Sequence, residues 1–254
     1  MKIFGLLAVL VTGGLLISAV VDFPDFGDPH SPANAGVVAT HFVEKTYEET
    51  HVPNMVTAVL ADYRGYDTMF ETVVIFTGGI AIIAILQGIG LGRRRGAVPT
   101  PPRADGDHHD IIVGTTCRIL IPVIQLFALY VVAHGHYSPG GGFQGGVILG
   151  ASFILWAIAR DLDAGLARMP ERRFLVLGAV GIFIYAAFGW GAQFLGANFL
   201  DYSILHKVMP GTGPVMARYH SMLGVEVGVA FTVTAIMFAI YAHLSTRGKL
   251  EGGL

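Results

Sequence analysis

The sequence predicts an all-α, polytopic membrane protein of about six transmembrane helices, with both termini on the cytoplasmic side. Three observations carry this reading. Hydrophobic residues make up 53% of the 254-residue chain and charged residues only 13%, about half the charged share of a soluble domain. The apolar residues gather in six runs, near 3–21, 68–91, 111–133, 145–159, 174–196 and 219–244, and a span needs roughly 20 apolar residues. The cations between the runs are unevenly shared. With the N-terminus inside, the cytoplasmic segments hold Lys2, Arg93, Arg94, Arg95, Arg103, Arg160, Arg168, Arg172, Arg173, Arg247 and Lys249, against Lys45, Arg64, Lys207 and Arg218 outside. That is the bias expected of cytoplasmic loops.

The first run follows Lys2 and is about 19 residues long, too long for a signal-peptide core, so it reads as a span that stays in the protein. A long outside loop follows, 22–51, with Pro24, Pro29 and Pro32 and a short amphipathic stretch near 40–50. Residues 54–63 are expected to form a short helix at the outer interface, leading into the second span. Segment 93–110, with Arg93-Arg94-Arg95, Pro99, Pro101 and Pro102, reads as a cytoplasmic linker. It divides a two-span module, 1–92, from a four-span module, 111–254. The fourth run is short and is lengthened by the Gly-rich segment before it. Several of the 34 glycines lie inside apolar runs, where small residues let membrane helices approach closely.

Composition and motifs exclude several functions. A net charge of -2 gives no footprint for nucleic acid, and the single Cys117 cannot form an intrachain disulfide. The sequence has no P-loop, nucleophile elbow, dinucleotide fingerprint or cysteine set for an iron–sulfur cluster. An independent enzyme with its own cofactor is therefore not expected.

Ionisable groups inside a span cost about 2.5–3.5 kcal/mol on insertion scales, so they mark function or a specific partner. The set is Asp67 and Glu71 near the outer end of the second span, Arg118 in the third and Glu226 in the sixth. On a helix Arg64, Asp67 and Glu71 share a face. One cation and two carboxylates can relay protons or hold a cation. Equally, Thr68-x-x-Glu71 has the form of a capping box, with Arg64 satisfied by Asp67. Glu226 lies about 10 Å into its span by helix rise, as an ion-path group or as a hydrogen-bond partner of a neighbouring helix. Arg118 is placed to snorkel toward the inner surface.

The segment His134-Gly-His136-Tyr-Ser-Pro139-Gly140-Gly141-Gly142-Phe-Gln-Gly145-Gly146 holds two histidines without the carboxylates or cysteines a metal site needs, so no metal is expected. Its glycines suit either irregular backbone lining a polar path or a close helix crossover.

That same Gly-rich segment closely resembles the signature of the MnhB/MrpB-type subunit of the Mrp-type multisubunit Na+/H+ antiporter, and the resemblance extends over residues 108–245. Thr50 to Glu71, with Asn54, Asp62, Arg64, Asp67 and Thr68, resembles a small membrane subunit of membrane-bound hydrogenase and the C-terminal extension of the large MrpA-type subunit. The chain thus looks like a fusion of the two modules. The resemblance implies an accessory subunit of a cation/proton antiporter complex in a prokaryotic cell membrane, partnered by other antiporter-type subunits and by Na+ and H+. It also implies that Asp67, Thr68 and Glu71 contribute to an ion path. Because the fusion is not the simplest family arrangement, the membrane arm of a hydrogenase-like respiratory complex stays open as host. So does a purely structural assembly role.

Overall fold

The computed structural model describes residues 2–92, 111–246, 248 and 250; the linker expected at 93–110 lies outside them. Among the described residues there are helices and no strands. Among them six helices are long and apolar enough to cross a membrane: Ile3–Val20, Gly65–Gly88, Ile111–Ala133, Gly142–Ala159, Glu171–Phe194 and Pro214–Thr246. The six runs read from the sequence are all present, with starts that shift by a few residues.

The chain divides into two compact units, Met1–Lys45 and Thr46–Leu254. The first holds α1 (Lys2–Val20), α2 (Pro32–Ala35) and most of α3 (Val37–Thr50). α1 is apolar on all sides, as suits a helix surrounded by lipid.

The second unit contains the last turn of α3 and everything after it. Asn54 caps α4 (Met55–Ala58), its side chain accepting the Val56 N–H at 3.1 Å. A π-helical turn, Val59–Tyr63, follows directly. The Thr68 hydroxyl donates to the Leu60 carbonyl of this turn at 2.8 Å. α5 (Gly65–Gly92) starts before Thr68, so Thr68 sits inside the helix and is no N-cap. The capping-box reading fails for that reason.

Next come α6 (Ile111–Ala133), α7 (Gly142–Ala159), the short α8 (Leu162–Arg168), α9 (Glu171–Phe194), a 3₁₀ turn at Tyr202–Lys207 and α10 (Pro214–Thr246). α10 organises the unit. Its 33 residues span about 50 Å, and it packs on α9, α7 and α5. Two thirds of its membrane window is buried, far more than in any other span.

Lipid tails offer no hydrophobic drive for helices to associate, so close packing and interhelical hydrogen bonds must hold them. Both are present along α10. A Cβ on Gly181 would lie 2.3 Å from the Gly228 carbonyl oxygen, so α9 and α10 cross with backbones in contact. Thr232 donates to the Gly178 carbonyl at 2.8 Å and Thr234 to the Gly146 carbonyl at 3.0 Å. Such bonds contribute about 0.6 kcal/mol each, and each also fixes helix rotation.

Candidate functional site

The Gly-rich segment does two jobs. From Gly142 onward it is the start of α7, and Gly145 and Gly146 press it against Val132 of α6 and Ala230 of α10. Before that it is a folded-back loop in which Gly135 and Gly141 are neighbours. Gly140 and Gly141 have φ of 156° and 144°, a region that side chains rarely adopt. The close-crossover reading therefore holds for 142–146, and the irregular-backbone reading for 134–141.

Asn54 fastens this loop. Its backbone N–H donates to the His136 carbonyl at 3.0 Å, and its side-chain amide donates to the carbonyls of Gly135 at 2.9 Å and Ser138 at 2.8 Å. Thr57 adds a bond to the Gly135 carbonyl at 2.8 Å. These three loop carbonyls thus have donors.

Beneath the loop lies a cavity of about 550 Å³. Glu71 and Thr68 of α5, Glu226 of α10, Gly140 to Gly142, and Tyr185 of α9 all line it. Two of the three carboxylates singled out in the sequence therefore share one cavity, although 155 positions separate them. Glu226 is 9% exposed and its Oε2 has no hydrogen-bond partner among the described residues. Its carboxylate sits against Gly135 and Gly141, within 2.9 Å and 2.6 Å of where their Cβ atoms would be. The N-terminal turn of α7 adjoins it, and the positive end of a helix favours an anion there. Glu71 is exposed at the cavity wall.

Asp67 is placed differently. It pairs with Arg64 and lines a separate, shallower hollow beside Asp62, Phe199 and Asp201. Neither histidine lines the main cavity. His134 stacks between Tyr130 and Tyr137, and His136 is buried on Tyr219 with ring centroids 4.3 Å apart. Burial, with His220 adding to it, pushes the His136 pKa down to about 4, so the ring is neutral near pH 7. Arg118 is remote from all of these, in a pocket with Arg160 and Arg168. Pro139 belongs to the cavity lining. No cluster suited to a metal ion occurs among the described residues.

Sequence reasoning missed a largely buried ion pair of the unit. Arg218 Nε donates to Asp62 Oδ2 at 2.6 Å, with the two side chains 21% and 8% exposed. Arg218 also reaches the Glu49 carbonyl at 3.3 Å, and Tyr63 donates to Glu49 Oε2 at 2.6 Å. Burial raises the Asp62 pKa, and the guanidinium opposes the rise without cancelling it. Residues 156 apart left no local spacing signal; only the position of Arg218 at the start of a span hinted at a partner. Removing one member leaves a buried charge, which costs about 3–5 kcal/mol. Arg218→Met is expected to lower the denaturation midpoint of the detergent-solubilised chain. The double variant with Asp62→Asn should recover much of the loss.

Six candidate spans among the described residues and a carboxylate-bearing cavity between their helices define a polytopic membrane protein. A family model described as a domain related to the MnhB subunit of Na+/H+ antiporter matches residues 112–239. Another, the MbhE model, described as a subunit of MBH, matches residues 7–97. The chain belongs to the family of domains related to the MnhB subunit of Na+/H+ antiporter, and its N-terminal part is similar to MbhE.

Its relatives include the B subunit of the Na(+)/H(+) antiporter of Bacillus subtilis (strain 168), 30% identical over 143 residues, or 56% of this chain and 96% of that protein. The A/B subunit of a probable K(+)/H(+) antiporter of Rhizobium meliloti (strain 1021) is 27% identical over 83% of this chain, which spans only 22% of that much longer protein. Among solved structures, the Mrp complex from Dietzia sp. DQ12-45-1b contains a chain 26% identical, with a TM-score of 0.67, covering 99% of this chain and 26% of that one. The membrane-bound sulfane sulfur reductase, an archaeal respiratory membrane complex, contains a chain 27% identical, with a TM-score of 0.59, covering 93% of this chain and 97% of that one.

Proposed function

We propose that this chain is an accessory membrane subunit of a multisubunit Na+/H+ antiporter complex, and that the cavity between Glu71 and Glu226 is its part of the cation or proton path. The single observation that supports this reading most is the shared cavity. It brings two carboxylates from different modules to one largely apolar space under a loop whose Gly135, His136 and Ser138 carbonyls already have donors. Glu71 has no partner among the described residues, and a charge left in lipid is costly. A neighbouring antiporter subunit covering α5 would turn the open wall into a closed path. Asp67 is paired with Arg64 outside the cavity. The arginine and lysine asymmetry supports cytoplasmic termini, which puts the cavity toward the outer half of the membrane.

The test is cation-dependent proton exchange in membrane vesicles carrying the whole complex, with Na+ and K+ assayed separately. Glu71→Gln keeps shape and removes charge. Bonds to a charged group contribute about 1.5–3 kcal/mol, so the substitution should lower exchange roughly 10- to 100-fold while the chain still co-purifies with its partners. Unchanged exchange would remove Glu71 from the path and favour an assembly role.

A redox-driven host is a second reading, favoured by the match over nearly the full length of a respiratory-complex chain. Mass spectrometry of the gently solubilised complex separates the two. Antiporter-type subunits alone support the first reading, and iron–sulfur or other redox subunits support the second.

A further inference from the structure

Sharing no lining residue with the carboxylate cavity, a second pocket of about 500 Å³ is walled by Arg118, Pro122 and Gln125 of α6, by Trp156 and Arg160 at the end of α7, and by Arg168 at the end of α8. No carboxylate lines it. None of the three guanidinium groups has an acidic partner among the described residues. Asp161, next in sequence to Arg160, is committed to capping α8 through the Ala164 N–H at 2.6 Å.

The arginines are arranged around one ring. Arg168 Cζ lies 3.6 Å and Arg160 Cζ 5.4 Å from the centre of the Trp156 indole. Such stacking orients guanidinium planes without neutralising them. The indole Nε1 is buried without an acceptor, and a buried N–H normally has one. Pro122 removes the N–H that would bond the Arg118 carbonyl, which loosens α6 at this level. Arg160 and Arg168 each stand at a helix C-terminal end, where a cation is favourable by itself. That account does not reach Arg118, two turns into α6.

We propose that Arg118, Arg160 and Arg168, gathered around Trp156, form a binding site for a phosphate-bearing anion. Three donor forks and no competing carboxylate suit phosphate oxygens, and an acceptor oxygen would also satisfy the indole. A site at the ends of membrane-spanning helices meets the phosphodiester of an acidic phospholipid. Inorganic phosphate from the aqueous phase has the same chemistry.

The test uses the full chain carrying Trp190→Phe, which leaves Trp156 as its sole tryptophan. The chain is reconstituted in phosphatidylcholine vesicles containing either brominated phosphatidylglycerol or brominated phosphatidylcholine, and Trp156 emission is read. Stronger quenching by the brominated phosphatidylglycerol assigns the site to lipid. Emission that instead changes with added inorganic phosphate, at constant ionic strength and without lipid preference, assigns it to the soluble anion. Each arginine changed to glutamine should weaken the preference about fivefold. The triple change Arg118→Gln, Arg160→Gln, Arg168→Gln should abolish it, and the triple lysine variant should retain part of it. Equal quenching by both lipids with no response to phosphate would overturn the proposal. So would a response that survives the triple glutamine change with helical content intact.

Discussion

Glu226→Gln should reduce cation/proton exchange by the assembled complex about 10- to 100-fold, while leaving the thermal midpoint of the chain unchanged or higher. Both halves follow from the same geometry. Glu226 is buried with an unpartnered Oε2, and ionising a buried carboxyl without a partner is costly. Glutamine fills the same space against Gly135 and Gly141 without an ionisable group. A group kept only to hold helices together should behave in the opposite way, with stability falling and exchange following assembly. Measuring exchange in vesicles and melting in detergent on the same variant therefore separates the two roles. Full exchange in Glu226→Gln would withdraw Glu226 from the path.

The second large effect is structural. Gly142→Ala is expected to destabilise the chain by about 3 kcal/mol or more, at or above the upper end of ordinary overpacking. A Cβ there would lie 2.0 Å from the carbonyl oxygen of Glu226, 2.7 Å from its carbonyl carbon and 2.9 Å from its Cα. All three are backbone atoms of α10, so no side chain can move aside. α7 and α10 would have to separate by about 1 Å or more to restore contact near the van der Waals limit. The separation would also move the cavity wall. Gly114→Ala is the control, because its Cβ would meet nothing within 4 Å, and alanine is the better helix former. Thermal melting of the two variants in one detergent checks the contrast. A Gly142→Ala chain as stable as the control would show that the two helices are not held at this distance.

The two substitutions act on one place from opposite sides. The backbone of Glu226 packs on Gly142 while its carboxylate faces the cavity. The close crossover and the irregular loop, offered as alternatives by the Gly-rich motif, are adjoining parts of one device. The glycines after 141 let α7 approach α10, and those before it let the loop fold back and make room for a carboxylate.

Class, span number and span positions were legible in the sequence by itself. A transmembrane helix satisfies its backbone internally, so about 20 apolar residues suffice to specify one without knowledge of any neighbour. The Arg64–Asp67 pair was legible for the same reason, since a spacing of three on a helix is a local fact. Glu71 and Glu226 could be picked out individually, because charge inside an apolar run is visible residue by residue. Only the tertiary structure decided that these two share a cavity and that Asp67 does not line it. It also decided that Asp62 pairs with Arg218 and that Asn54 fastens Gly135. Each of these depends on how helices are rotated and which backbones touch. In lipid that is set by small-residue contacts and interhelical hydrogen bonds, such as Thr232 to Gly178 and Thr234 to Gly146. Apolar periodicity cannot encode those choices, because every face of a lipid-facing helix is apolar.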